Sequence, residues 1–113
     1  MTASARSGPQ LSRGEFGLLV LGLLHRRDMY GYEVVAELRR STAGAIDLPE
    51  GTIYPALRRL EQEGLVSGYW VDAPGNSPRR RYYKLTQSGE HALATGLDDW
   101  HRFKLAADAV LGQ

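Results

Sequence analysis

At Gly64 the hydrophobic period of the chain changes, and that change orders the elements on either side of it. Before it, Ile53, Leu57 and Leu60 recur at the spacing of one helix face. After it, LVSGYWV (65–71) and RRYYKLT (80–86) are short runs rich in valine, leucine and aromatic residues. They flank DAPGNSP (72–78), which is too long for a two-residue turn, so the pattern predicts a β-hairpin with a mobile tip.

The helix ahead of Gly64 is expected to begin near Pro49 or Glu50, where proline and an acidic residue suit a first turn. Pro55 removes one backbone donor there and predicts a slight bend. Two further helices come earlier. Ser12 and Glu15 have the spacing of a capping box and open a helix to about Arg26. Gly31 stands in the turn before a second helix, Tyr32 to Thr42, with Val34, Val35 and Leu38 facing the core and Gly44 ending it. After the hairpin, Thr86 can cap a last helix of about 25 residues, about 37 Å long. Leu93, Leu97, Trp100, Ala107 and Leu111 lie along one side of it.

In the first helix, Phe16, Leu18, Leu19, Val20, Leu21, Leu23 and Leu24 occupy more than one face, whereas a surface helix carries a single apolar stripe. The second face needs a cover. The long C-terminal helix, of the same or a partner subunit, is the expected one, so the pattern points to a homodimer. With 113 residues there is material for one compact unit. The expected organisation is a flexible arm over 1–11, offering Arg6 as a phosphate contact, a folded domain over 12–86, and a dimerisation helix over 87–113.

Several function classes drop out. The chain has no cysteine, which removes disulfides, thiolate metal sites and a cysteine nucleophile, and suits a reducing cytoplasm. The apolar run Phe16 to Leu24 is too short to span a bilayer and no export signal precedes it, so a cytoplasmic protein is expected. His25, His91 and His101 are scattered, Asp98 and His101 supply only two ligands on one helix face, and no nucleophile elbow or phosphate loop is present. Neither catalysis nor a metal or cofactor is expected.

Three helices followed by a hairpin is the order of a winged helix-turn-helix, whose third helix enters the major groove while the hairpin, the wing, follows the backbone. The expected fold is therefore mainly α with a small β-hairpin, plus the long C-terminal dimerisation helix. Net charge is only +1, so the distribution of charge must carry the case for DNA. Thr52, Tyr54, Arg58 and Arg59 flank the Ile53, Leu57, Leu60 seam, and Arg79, Arg80, Arg81 and Lys84 form the densest positive cluster, interleaved with Tyr82 and Tyr83. Two plainer readings stand beside this one. The wing cations can solvate an exposed edge strand, and Arg58 and Arg59 can pair with Glu61, Glu63 and Gln62.

Through YGYEVVAEL (30–38), GTIYPALRRLEQEGLV (51–66), RRRYYKLT (79–86) and Gly89, the sequence resembles the PadR family of regulators over about residues 12–111. The resemblance implies a homodimeric repressor of stress, detoxification or efflux genes that binds a palindromic operator and releases it on binding a small molecule. It places Thr52, Tyr54, Pro55 and Arg58 at the major groove, with Arg59 on the same helix, Tyr32 near the backbone, and Arg79, Arg80, Arg81 and Lys84 on the wing. A single terminal helix resembles the short subgroup, some of whose members hold flat aromatic compounds between subunits. By that analogy Phe16, Val20, Leu97, Trp100 and Lys104 would surround an aromatic effector, although Trp100 can equally just pack the dimer interface. Lys104, opposed by Asp98 and Asp99, leaves the charge of such an effector open. A winged-helix module that binds another protein instead of DNA is the rival from a different class.

Overall fold

Ser12 caps the first helix as its spacing predicts: its Oγ accepts the Glu15 N–H at 3.1 Å, and Glu15 returns an oxygen to the Ser12 N–H at 2.8 Å. In the computed structural model, which describes residues 11–112, this helix, α1, spans Arg13–Arg26. It is followed by β1 (Met29–Tyr30), α2 (Gly31–Ser41), α3 (Ile53–Gln62), β2 (Val66–Val71), β3 (Arg80–Leu85) and α4 (Gln87–Leu111). The expectation for residues 1–10, Arg6 included, lies outside the described residues; Leu11 is half-buried against the core.

Val20, Leu24, Met29, Val34, Leu38, Ile53, Leu57, Leu60, Val66 and Tyr83 form one core where α1, α2, α3 and the sheet meet. The Ile53, Leu57, Leu60 seam is its α3 contribution, joined by Ala56. Fully burying each of these aliphatic side chains contributes about 2 kcal/mol, which is why the 3.6-residue pattern is so legible.

Three details differ from expectation. The helix ahead of Gly64 is not one bent rod: Glu50–Thr52 form a 3-10 turn, and α3 starts at Ile53. Pro55 is then the third residue of α3, within the first turn, where N–H groups lack an intrahelical partner, so its missing donor costs little. The hairpin is not a lone pair of strands either. Met29 pairs with Tyr83 and Tyr30 with Tyr82, adding β1 to a sheet of order β1-β3-β2. A two-residue strand has no period to read, so only the folded chain reveals it. Finally, Leu93, expected at the subunit interface, is buried in the core of its own chain, because the first turns of α4 pack on α1.

The junction into α4 is tight. Gly64 adopts φ +77°, where glycine carries no steric penalty, and turns the chain from α3 into β2. Thr86 donates its hydroxyl to the Gly64 carbonyl at 2.7 Å and accepts the Gly89 N–H at 3.0 Å, so one side chain caps α4 and ties it to that turn. His25 Nδ1 meets Glu90 Oε1 at 2.9 Å, joining the end of α1 to the start of α4. The far half of α4 leaves the domain: Phe103, Leu105, Val110 and Leu111 are exposed, and the molecule extends to 55 Å along its longest axis.

Candidate nucleic-acid interface

At about 100° per residue, Ile53, Ala56, Leu57 and Leu60 define the inward side of α3, and the opposite side carries Pro55, Arg58 and Gln62. These three are exposed, as are Gly51 and Thr52 of the preceding 3-10 turn. Arg58 makes no ion pair among the described residues, so the expected alternative of pairing with Glu61 or Glu63 does not occur. Arg59 falls on the flank toward α1. It is half-buried, and a Cβ built on Gly17 of α1 would meet its Nη2 at 3.8 Å. Arg59 therefore does not share the outward face with Arg58, because one residue of helix rotates the side chain by about 100°.

Between α3 and the wing lies an open cleft of about 730 Å³. Tyr32, Glu50, Tyr54, Trp70, Arg79 and Arg81 are among the side chains that line it. Tyr32 is 53% exposed at the start of α2. Tyr54 forms the floor. Its ring rests on Gly31, where an added Cβ would lie 2.6 Å from Tyr54 Cε1. The Tyr54 hydroxyl donates to Glu50 Oε2 at 2.6 Å, and that hydrogen bond is the main cause that pushes the phenol up to about 12. Its one proton is thus committed to Glu50, and the hydroxyl cannot also donate to a phosphate. Tyr69, on the outer face of β2, is held in the same way by Asp28 at 2.6 Å and is also raised to about 12.

The wing is a stack of rings and guanidinium groups. Arg79 and Arg81 both lie over the Trp70 ring, 4.9 and 5.3 Å from its centroid, and Arg80 lies 4.8 Å from that of Tyr30. On the outer face Tyr30, Tyr82 and Tyr69 form an aromatic row, with centroids 5.3 and 5.9 Å apart. Arg79, Arg80 and Lys84 are exposed and make no ion pair among the described residues, leaving their charges available. Arg81 differs: it is paired with Glu61 of α3 at 2.9 Å.

Glu50, Glu61 and Trp70 belong to this site and were missed by sequence reasoning. For Trp70 the signal is the register: β2 and β3 place it opposite Arg81, which follows once the hairpin is aligned. For Glu50 the signal is its place four residues before Tyr54, an i,i+4 helical spacing, whereas no spacing announces that Glu61 serves Arg81, twenty residues further on.

A second concavity, about 540 Å³, runs between α1, the end of α2 and α4. Its walls include Leu18, Leu19, Gly22 and Leu23 of α1 with Leu97 and Trp100 of α4. The expected effector residues divide with respect to this groove. Leu97 and Trp100 are there, but Val20 is fully buried in the core, Phe16 lies on another side of α1, and Lys104 is a turn beyond the groove. From α1 the groove takes Glu15, Leu18, Leu19, Gly22, Leu23 and Arg26, a side of the helix that excludes Phe16. Trp100 is 44% exposed and stands 6.2 Å, centroid to centroid, from Phe103. Among the described residues no three His, Asp or Glu side chains converge as a metal site, and no helix is long and apolar enough to cross a membrane.

The model of the transcriptional regulator PadR-like family matches residues 20–95. A transcriptional regulator from Clostridium thermocellum superposes with a TM-score of 0.78 at 30% identity, over 86% of this chain and 93% of that one. A PadR family regulator from Eggerthella lenta gives 0.76 at 34% identity, over 88% and 83%. The negative transcriptional regulator PadR of Bacillus subtilis is 27% identical over 81 residues, which is 72% of this chain but only 42% of that protein. A family match that spans α1 to α4, on a fold with an exposed third helix and an arginine-rich wing, makes this chain a winged helix-turn-helix member of the PadR-like family of transcriptional regulators.

Proposed function

We propose that the chain is a sequence-specific repressor, acting as a homodimer on a palindromic operator and released by a planar aromatic compound. The observation that carries the DNA reading is the exposed row of Thr52, Pro55, Arg58 and Gln62 on α3 together with a wing whose Arg79, Arg80 and Lys84 are exposed and free of carboxylate partners among the described residues. On this reading Arg58 reads base edges, the wing cations neutralise phosphates, and Tyr32 and Tyr54 wall the channel for the backbone. Negative regulation is the role that the Bacillus subtilis relative's name carries, and the proposal extends it to this chain.

Replacing Arg79, Arg80 and Lys84 together by alanine is expected to weaken binding to every duplex and to reduce the slope of log K against log salt by about 3, close to one per phosphate contact. Arg58→Ala is expected to cost about tenfold on a preferred site and to erode its preference over random DNA. Fluorescence anisotropy at several salt concentrations measures both. A wild-type protein that enriches no sequence from a randomised duplex pool would sink the assignment in favour of a protein-binding module.

For release, the volume and apolar lining of the α1–α4 groove suit a small planar ligand, with Trp100 as its stacking surface. The chain has two tryptophans, so Trp100→Ala leaves Trp70 as the remaining reporter. Titrating planar aromatic dyes is expected to quench wild-type emission at concentrations that leave the variant unchanged. Equal quenching in both removes Trp100 from the site.

A further inference from the structure

The pairing of Gly68 with Tyr83 and Trp70 with Arg81 puts all four residues on the sheet face that turns toward α3. From there Arg81 reaches across β2. Its Nη2 donates to Glu61 Oε2 at 2.9 Å, and the same carboxylate oxygen accepts the Gly68 N–H at 3.2 Å. The guanidinium also lies 5.3 Å from the centroid of Trp70 and 5.7 Å from that of Tyr83. A Cβ at position 68 would fall 2.6 Å from Arg81 Nη2 and 2.7 Å from its Cζ. Glycine is thus what lets the guanidinium lie against the strand. Side-chain exposures of 33% for Arg81 and 34% for Glu61 leave the pair half-buried, with Arg81 less exposed than the other ion-paired arginines among the described residues, such as Arg102 at 73%.

We propose that Glu61, Gly68 and Arg81 form a clasp that sets the angle of the wing to α3, and that Arg81 is a positioning residue for DNA binding and not a phosphate ligand. The inference rests on the DNA-binding reading above. Its physical content is a sign. A bare carboxylate beside a polyanion repels it, so deleting an acidic group from a DNA-facing surface ordinarily tightens binding. Glu61 is neutralised by Arg81 and holds the β2 backbone through Gly68, so its loss releases the wing and weakens binding instead.

The test uses the full chain and two probes of equal length, a duplex enriched by the wild-type protein from a randomised pool and a random-sequence duplex. Glu61→Gln, Arg81→Ala and the double variant are compared with wild type across a salt series. Each single variant is expected to lose about tenfold on the enriched duplex, and the double to lose no more than either, as for two residues acting as one unit. The salt slope is expected to stay at the wild-type value, a readout that distinguishes positioning from contact. Gly68→Ala, which changes no charge, is expected to reproduce the loss, and Arg81→Lys replaces Arg81→Ala should the latter fail to fold. Tighter binding by Glu61→Gln, a slope lower by about 1 in Arg81→Ala, or additive losses would each overturn the clasp. If wild type enriches no duplex, the DNA reading falls and the clasp's role in it falls as well; if wild type enriches one and the variants bind it equally well, only the clasp falls.

Discussion

Gly89→Ala is expected to lower the melting temperature by about 15 °C, corresponding to about 3 kcal/mol of lost stability. The new methyl would sit 2.1 Å from the Leu65 carbonyl oxygen and 2.7 Å from Leu85 Cδ1. The first obstacle is backbone and cannot rotate away. That carbonyl also accepts the Thr86 N–H at 3.1 Å, so moving it disturbs the turn after α3 and the cap of α4 at once. Gly14→Ala is the control: it is exposed in α1 with nothing within 4 Å of the added Cβ, and it should gain about 0.5 kcal/mol through helix propensity. Thermal melts by circular dichroism read both. A Gly89→Ala protein that melts with wild type would show that the Leu65 carbonyl yields readily and that the junction into α4 is not tightly packed.

The second large effect concerns α4. Leu97, Trp100, Phe103, Val110 and Leu111 are exposed, and Trp100 and Phe103 are 44% and 63% accessible. Replacing both aromatics with glutamate would place two carboxylates where a second copy is expected to pack, and burying an unpaired charge is prohibitive. Light scattering is expected to give twice the 12.5 kDa chain mass for wild type and the single mass for Trp100→Glu/Phe103→Glu. Affinity for a two-half-site duplex is expected to fall about a hundredfold or more, because linked binding of two recognition helices is lost. The melting temperature of the domain core should shift little, since both side chains lie outside it. A wild-type protein that is monomeric at micromolar concentration, or a double variant that stays dimeric, refutes the role of this row.

Leu93 shows why the split of α4 into an inner and an outer part was not legible beforehand. It shares a helical stripe with Leu97, Trp100 and Leu111, and periodicity treats the four alike. Docking of the first turns of α4 on α1 buries Leu93 and leaves the others outside. Val20 and Leu19 are adjacent apolar residues of α1 in the same way, yet one is core and the other wall of a groove. An apolar stripe states that a face must be covered; it does not state by what.

What the sequence determined by itself is the set of local decisions: the capping box at Ser12, the α3 seam of Ile53, Leu57 and Leu60, the stop at Gly64, the two long strands and the cap at Thr86. Each rests on neighbours within a few residues, where propensity and period act directly. Only the tertiary structure decided which arginines stay free. Arg58 points outward, Arg59 turns to α1, Arg80 lies over Tyr30, and Arg81 is drawn to Glu61, twenty residues back along the chain. Those fates depend on helix rotation, strand register and the close approach permitted at Gly68. They are long-range distances, and a row of arginines in a sequence carries the charge without the geometry that directs it.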